Sequence, residues 1–211
     1  MPAGSVRIDH AVTSGTFSLD GETWNVDNNV WAIGDDSTCV VIDAPHDADV
    51  IASVIGDRQL QAVLCTHAHD DHVTAARELS VRFDAPVRLH PADDVLWRRT
   101  YPDFDYAPLA DGDQIAIAGV GLEVRHTPGH APGAVCFYSP ALGSVFSGDT
   151  LFQGGPGATG RSFSDFGAII ESIRSGLLTL PAATVVHTGH GPDTTIGAEA
   201  GQLDEWIARG H

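Results

Sequence analysis

His67-Ala68-His69-Asp70-Asp71-His72 sets three imidazoles and two carboxylates within six positions, one residue after the apolar run 62–65. At this composition an H-x-H-x-D-H pattern arises by chance roughly 0.003 times per chain. In an extended segment residues two apart project to one side, so His67 and His69 can chelate one cation. Asp71 and His72, at the turn into a following helix, can face a second. Imidazole and carboxylate suit zinc, manganese or ferrous iron, and no thiolate is present to select among them. The chemistry on offer is that of divalent cations: activation of water and polarisation of a carbonyl.

Such a cluster needs rigid elements to hold it. Short apolar runs at 17–19, 30–33, 38–42 and 62–65 read as strands, separated by Gly, Asp and Asn. Residues 47–55 carry apolar positions on one helical face and stop at Gly56. A helix is expected at 74–79, a strand at 87–89, and a helix opened by Pro91 and running through Trp97. The second half repeats the theme, with strands at 114–117, 122–126, 135–138, 144–147 and 184–187. A helix capped by Ser164 is expected over 165–178, and a terminal one near 198–208. Two batches of strands, each followed by helices, point to an α+β protein with two sheets and helices packed outside them. At 211 residues and 43% hydrophobic, the chain fits one domain, residues 1–211.

Three later segments join the histidine cluster in a family pattern. The sequence resembles the metallo-β-lactamase superfamily, and within it the glyoxalase II-like (hydroxyacylglutathione hydrolase-like) branch. Thr127-Pro128-Gly129-His130-Ala131-Pro132-Gly133 is similar to the family's T-P-G-H-x-x-G loop. Phe146-Ser147-Gly148-Asp149-Thr150-Leu151-Phe152 is similar to its G-D-x-L-F segment, and Thr188-Gly189-His190-Gly191-Pro192 to its G-H-G-P segment. The resemblance implies a four-layer αββα sandwich with a dinuclear centre at one edge of the sheets. It makes His67, His69 and His130 ligands of one ion and Asp71, His72 and His190 ligands of the other, with Asp149 bridging both. Asp43 matches an early family aspartate that supports the centre without touching the metal. The expected cofactor is a pair of divalent ions, zinc foremost, with iron and manganese as alternatives.

A shared water ionised between two such ions needs no separate strong base, since its pKa falls from 15.7 to about 7. Asp71 and Asp149 are then the catalytic carboxylates. One fixes the ions' separation, and the other can orient a metal-bridging hydroxide. The branch implies a small thioester as substrate, possible examples being 2-hydroxyacyl thioesters of a low-molecular-weight thiol. Longer glyoxalase II enzymes add a C-terminal helical domain and a lysine for glutathione; this chain ends soon after His190 and has no lysine. The thiol carrier is therefore left open. Arg161, in a Gly-Arg step similar to the family's, is either a substrate-carboxylate partner or part of a structural ion pair. The rival on the same scaffold is a persulfide dioxygenase-like oxidoreductase, with one ferrous iron on residues matching His67, His130 and Asp149. Its T-D-F-Q stretch is replaced here by Ser162-Phe163-Ser164-Asp165. True β-lactamases lack the bridging aspartate.

Net charge is −17, with 28 acids against 11 arginines. Nucleic-acid affinity comes largely from cationic contacts with phosphates, so no nucleic-acid partner is expected. Residues 1–7 lack a basic region leading into an apolar stretch, and no membrane-length apolar run follows. A cytoplasmic protein with no membrane partner is the expectation. Cys39, Cys65 and Cys136 read as reduced core thiols. His10, His46, His90 and His211 read as surface or satisfied core residues, and His126 and His187 as structural neighbours of the ligand loops. Asp70 reads as a helix-start carboxylate, and Asp35-Asp36 and Asp93-Asp94 as solvated turn or helix-start residues. The Gly154–Gly160 run lacks the G-K-[ST] ending of a phosphate loop; it reads equally as a cleft border or an irregular surface loop.

Overall fold

The computed structural model describes residues 5–210, so the readings of His211 and of residues 1–4 lie outside them. The first sheet runs in spatial order β1 (Arg7–Leu19), β2 (Glu22–Gly34), β3 (Thr38–Ile42), β4 (Gln59–Leu64), β5 (Val87–Leu89) and β6 (Ala107–Pro108). Its helices are α1 (Ala48–Ile55), α2 (Asp70–Val73), α3 (Ala76–Phe83) and α4 (Asp94–Thr100). In the second half come β7 (Gln114–Ile117), β8 (Val120–His126), β9 (Val135–Ser139) and β10 (Ser144–Gly148). A small hairpin, β11 (Leu151–Phe152) and β12 (Gly155–Pro156), precedes α5 (Phe166–Ser172). The chain finishes with β13 (Val185–Thr188), β14 (Thr194–Thr195), α6 (Ile196–Glu199) and α7 (Leu203–Arg209). The second sheet is ordered β14-β13-β10-β9-β8-β7.

Three apolar clusters define four layers. Val40, Ile42, Ala62 and Leu64 of the first sheet meet Leu122, Val124, Phe137 and Phe146 of the second in the central layer. Cys39, Val41 and Val63 alternate with them and face the other way, against Ile51 and Ile55 of α1, Leu79 of α3 and Trp97 of α4. Cys136, Val145 and Val186 back onto Ile169 and Ile170 of α5 and Trp206 of α7. Strands apolar on both faces therefore sit between helices on both sides, the expected αββα sandwich. Each fully buried aliphatic or aromatic side chain contributes about 1.5–3 kcal/mol, so the sheets are a stiff base for the loops at their edge.

Several elements differ from expectation. β1 and β2 are thirteen residues each, joined across Asp20-Gly21, both at positive φ as a two-residue hairpin turn requires. Apolar patterning marked only their buried ends. Pro91 opens a 3-10 turn, with α4 starting at Asp94. The helix expected at 74–79 is α3, preceded by the separate turn α2. The helix expected at 165–178 is capped by Asp165, whose carboxylate accepts from Ala168 N at 2.8 Å, and it relaxes into a π turn over Ile173–Leu177. Ser164 Oγ is engaged instead by the amides of Gly160 and Arg161. Asp35 and Asp93 are not solvated: they are 6% and 0% exposed, each accepting from two backbone amides. Among the described residues no helix is long and apolar enough to cross a membrane.

Candidate metal centre

All seven expected ligands follow the C-terminal ends of strands on one edge of the sandwich. His67 and His69 follow β4, with Asp71 and His72 on α2; His130 follows β8, Asp149 follows β10, and His190 follows β13. The structure brings the seven together. His69 Nδ1 lies 3.1 Å from His67 Nε2 and 3.0 Å from His130 Nε2. His72 Nε2 lies 3.2 Å from His190 Nε2, and Asp71 Oδ2 lies 3.3 Å from His190 Nε2. Asp149 sits between the two groups: Oδ1 is 3.4 Å from His72 Nε2, and Oδ2 is 3.5 Å from His130 Nε2 and 3.4 Å from His190 Nε2. Three overlapping sets, His67/His69/His130, His67/His72/Asp149 and Asp71/His72/His190, each converge ligand atoms within 4.8 Å, as a metal ion requires.

The outer atoms explain why the inner nitrogens face one another. His130 Nδ1–H donates to Ala158 O at 2.8 Å, and His190 Nδ1–H donates to Asp27 O at 2.7 Å. His72 Nδ1–H donates to Asp43 Oδ2 at 2.9 Å. Thr66 Oγ1 gives its proton to Asp43 Oδ2, so it can only accept from His67 Nδ1–H, at 3.1 Å. Four imidazoles are thereby held with Nε2 lone pairs pointing inward. Asp149 Oδ1 is buried and without a hydrogen-bond partner. Converging lone pairs and an orphaned carboxylate oxygen repel unless a cation lies among them, so these residues fit divalent ions. Asp43, at a φ of 59°, accepts from Thr66 N and from His72 Nδ1–H.

Electrostatics separate the two halves. Burial, then neighbouring imidazoles, lowers His69 to about 3 and takes His67 well below its ordinary value. Burial also lowers His190, but Asp149 and Asp71 outweigh it and hold it at about 10. His72 is raised in the same way, by Asp149, Asp71 and Asp43 against burial. Burial raises the Asp71 carboxyl, yet His72 and His190 bring it down to about 2. The opposed shifts mark where the carboxylates favour positive charge, the charge that divalent cations would supply.

A cavity of about 400 Å³ opens over the centre, walled by Phe17, Val26, Phe152, Ala158 and Arg161. The Gly154–Gly160 run borders it: Ala158 holds His130, and a Cβ on Gly157 would overlap Asp149 O. Arg161 stacks over Trp24 at 4.0 Å, with Phe17 at 5.5 Å, a cation–π arrangement in place of the structural ion pair. Cys65 is buried and its thiol is pushed well above its ordinary value, as an inert core residue should be. His126 stacks on His90 and contacts Pro132 O, and His187 lies between Asp193 and Ser144; neither reaches the centre.

Three contributors were not read from the sequence. Asn28 Nδ2–H donates to Asp71 Oδ2 at 3.0 Å, and His46 Nε2–H donates to Asn28 Oδ1 at 2.8 Å. Asp93 accepts from the amides of Ala68 and Gly133. The available signal was Asn28-Asn29, a polar pair that opens the buried end of β2 directly before the apolar run 30–33; Asn29 Nδ2–H donates to Thr188 O and Gly191 O, flanking His190.

Comparison with known proteins agrees with this geometry. Residues 24–190 match the model of the metallo-beta-lactamase superfamily. The probable metallo-hydrolase YqgX of Bacillus subtilis is 34% identical, over 82% of this chain and 90% of that protein. Hydroxyacylglutathione hydrolase GloC of Haemophilus influenzae is 34% identical, over 78% and 85%. The crystal structure of TTHA1623 in a di-iron-bound form superposes with a TM-score of 0.77 at 34% identity, covering 89% of this chain and 96% of that one. With the αββα layers, the ligand-bearing strand ends and these relatives in agreement, the chain belongs to the metallo-beta-lactamase superfamily.

Proposed function

We propose that the protein hydrolyses small thioesters, of the 2-hydroxyacyl type carried on a low-molecular-weight thiol, with two divalent ions, zinc foremost, held by the seven residues above. One observation carries this reading: Asp149 reaches imidazoles of both groups at 3.4–3.5 Å, on the floor of a cavity whose wall holds one arginine. Bound divalent ions would supply an ionised water near neutral pH and a Lewis acid for the carbonyl.

The chain's own residues do the rest. Asp149 fixes the spacing of the two positions. Asp71, with one oxygen held by Asn28, lines the cavity and accepts a hydrogen bond from the attacking water. Phe17, Val26 and Phe152 exclude solvent from the acyl and thiol chains. Arg161, braced on Trp24, grips a carboxylate of the thiol carrier. The relatives' name, hydroxyacylglutathione hydrolase, supports the thioester class.

The test combines metal content per chain with hydrolysis of 2-hydroxyacyl thioesters of several thiols and with oxygen uptake on a persulfide. Two ions and thioester turnover are expected. One tightly held iron, oxygen consumption and no thioester cleavage would assign the centre to a dioxygenase-like oxidoreductase instead.

A further inference from the structure

We propose that each half of the metal centre has its own positioning device outside the ligand set: Asp93 for the His67/His69/His130 position, and His46, acting through Asn28, for the Asp71/His72/His190 position. The inference rests on the two-ion reading above.

Asp93 joins two ligand loops that leave different sheets. Its Oδ2 accepts from Ala68 N at 2.7 Å, between His67 and His69, and its Oδ1 accepts from Gly133 N at 2.5 Å, three residues after His130. Both loops are therefore referenced to one rigid carboxylate. A neutral amide could not replace it, because two converging N–H donors need two acceptor oxygens. The approach is tight: a Cβ on Gly133 would lie 2.6 Å from Asp93 N and 2.9 Å from Asp93 Cβ. Fully burying a carboxylate without a cationic partner is costly, and the two amides it accepts from offset only part of that cost. What the carboxylate provides is the separation of the two loops.

His46 works on the other half. Its Nε2–H donates to Asn28 Oδ1 and so fixes which end of the amide faces the centre. Asn28 Nδ2 then points at Asp71 Oδ2, and lies 3.3 Å from both His72 Nε2 and His190 Nε2. A flipped amide would set an oxygen against the Asp71 carboxylate. The fold makes room for His46 at some expense: its φ is 50°, and a Cβ on Gly15 would overlap its ring.

Residues that orient ligands from outside typically change metal affinity by about 10–100-fold when replaced. The test uses the full chain loaded with zinc, stepwise dissociation constants from chelator competition, and anomalous scattering from crystals to assign each loss to a position. Asp93→Asn and Gly133→Ala should weaken the His67/His69/His130 position by about 10–100-fold and the other by much less. His46→Ala and Asn28→Ala should do the reverse, with His46→Gln, which keeps an N–H donor, recovering part of the loss. Asp35→Asn, at a buried carboxylate that also accepts two amides but lies away from the centre, should leave both positions unchanged. Should Asp93→Asn fail to fold, Gly133→Ala still reports on the same position. If wild type binds two ions and every variant weakens both equally, or lowers only the melting temperature, the inference is overturned and the two-ion reading stands. If wild type binds one ion, both fall.

Discussion

Asp93 is fully buried, and burial raises its carboxyl to about 6 even though the amides of Gly133 and Ala68 pull it back down. In the unfolded chain the same group loses its proton near 3.8. Between these two values the folded chain binds more protons than the unfolded one, so stability rises as pH falls through 6 and is lost as pH climbs back. Above pH 6 the penalty is complete. At 1.36 kcal/mol per pH unit, the gap from 3.8 to about 6 amounts to about 3 kcal/mol. Asparagine has no proton to release, so Asp93→Asn removes this dependence. The difference in unfolding free energy, wild type minus variant, should fall by about 3 kcal/mol from below pH 4 to above pH 6 and stay flat beyond. Urea unfolding of the chelator-treated chains, followed by tryptophan fluorescence at each pH from 3 to 8, measures it. A difference that does not change with pH, or that grows as pH rises, refutes the reasoning. Together with weaker metal binding, a stability gain at neutral pH would mark Asp93 as a residue kept for position at a cost in folding.

Asp149→Ala should deplete both metal positions, whereas His190→Ala should empty chiefly the Asp71/His72 position; equal losses measured by metal analysis of the two variants would count against a bridging Asp149. Arg161→Ala should raise KM about tenfold to a hundredfold, the worth of a charged hydrogen bond at 1.5–3 kcal/mol, with kcat and metal content little changed. An unchanged KM with a lower melting temperature would remove Arg161 from the substrate's path. Gly189→Ala should lower metal content and kcat together in a chain that still folds, because the new Cβ would overlap Asp149 Oδ1 and lie 2.9 Å from His72 Cε1; full metal occupancy in that variant would show the loop to be more yielding than its packing suggests.

How much could be read beforehand followed from how far each interaction reaches along the chain. Val87–Leu89 and Gln114–Ile117 coincide with their expected strands because a short apolar run between turn residues is a local fact. The hairpin β1–β2 was legible only at its buried ends; His10, Thr13, Ser14, Asn25 and Asp27 give its outer half no apolar alternation, and backbone pairing from Arg7↔Gly34 to Leu19↔Glu22 holds it. At the π turn after α5 the apolar stripe Ile169, Ile170, Ile173 and Leu177 continues through the irregular stretch, so periodicity ran past the break.

The same reasoning separates the ligands from the residues that place them. Coordination restricts residue type to His, Asp and few others, and it fixed the spacing of His67, His69, Asp71 and His72 within one turn of chain, so these positions stand out against composition. Positioning demands only a hydrogen-bond donor or acceptor at the right point in space. Asp93 meets Ala68 across 25 residues and Gly133 across 40; Asn28 meets Asp71 across 43. No local pattern distinguishes such an aspartate from the many that cap helices, and Asp93 does directly precede α4. What distinguishes it is burial without a cation, which exists only once the two sheets have closed on each other. Both classes of residue are needed: inward-facing nitrogens form a site only when the loops that carry them stop at the correct distance, and in this fold that distance is set by groups that touch no ligand side chain, as Asp93 does, or only one end of an amide, as His46 does.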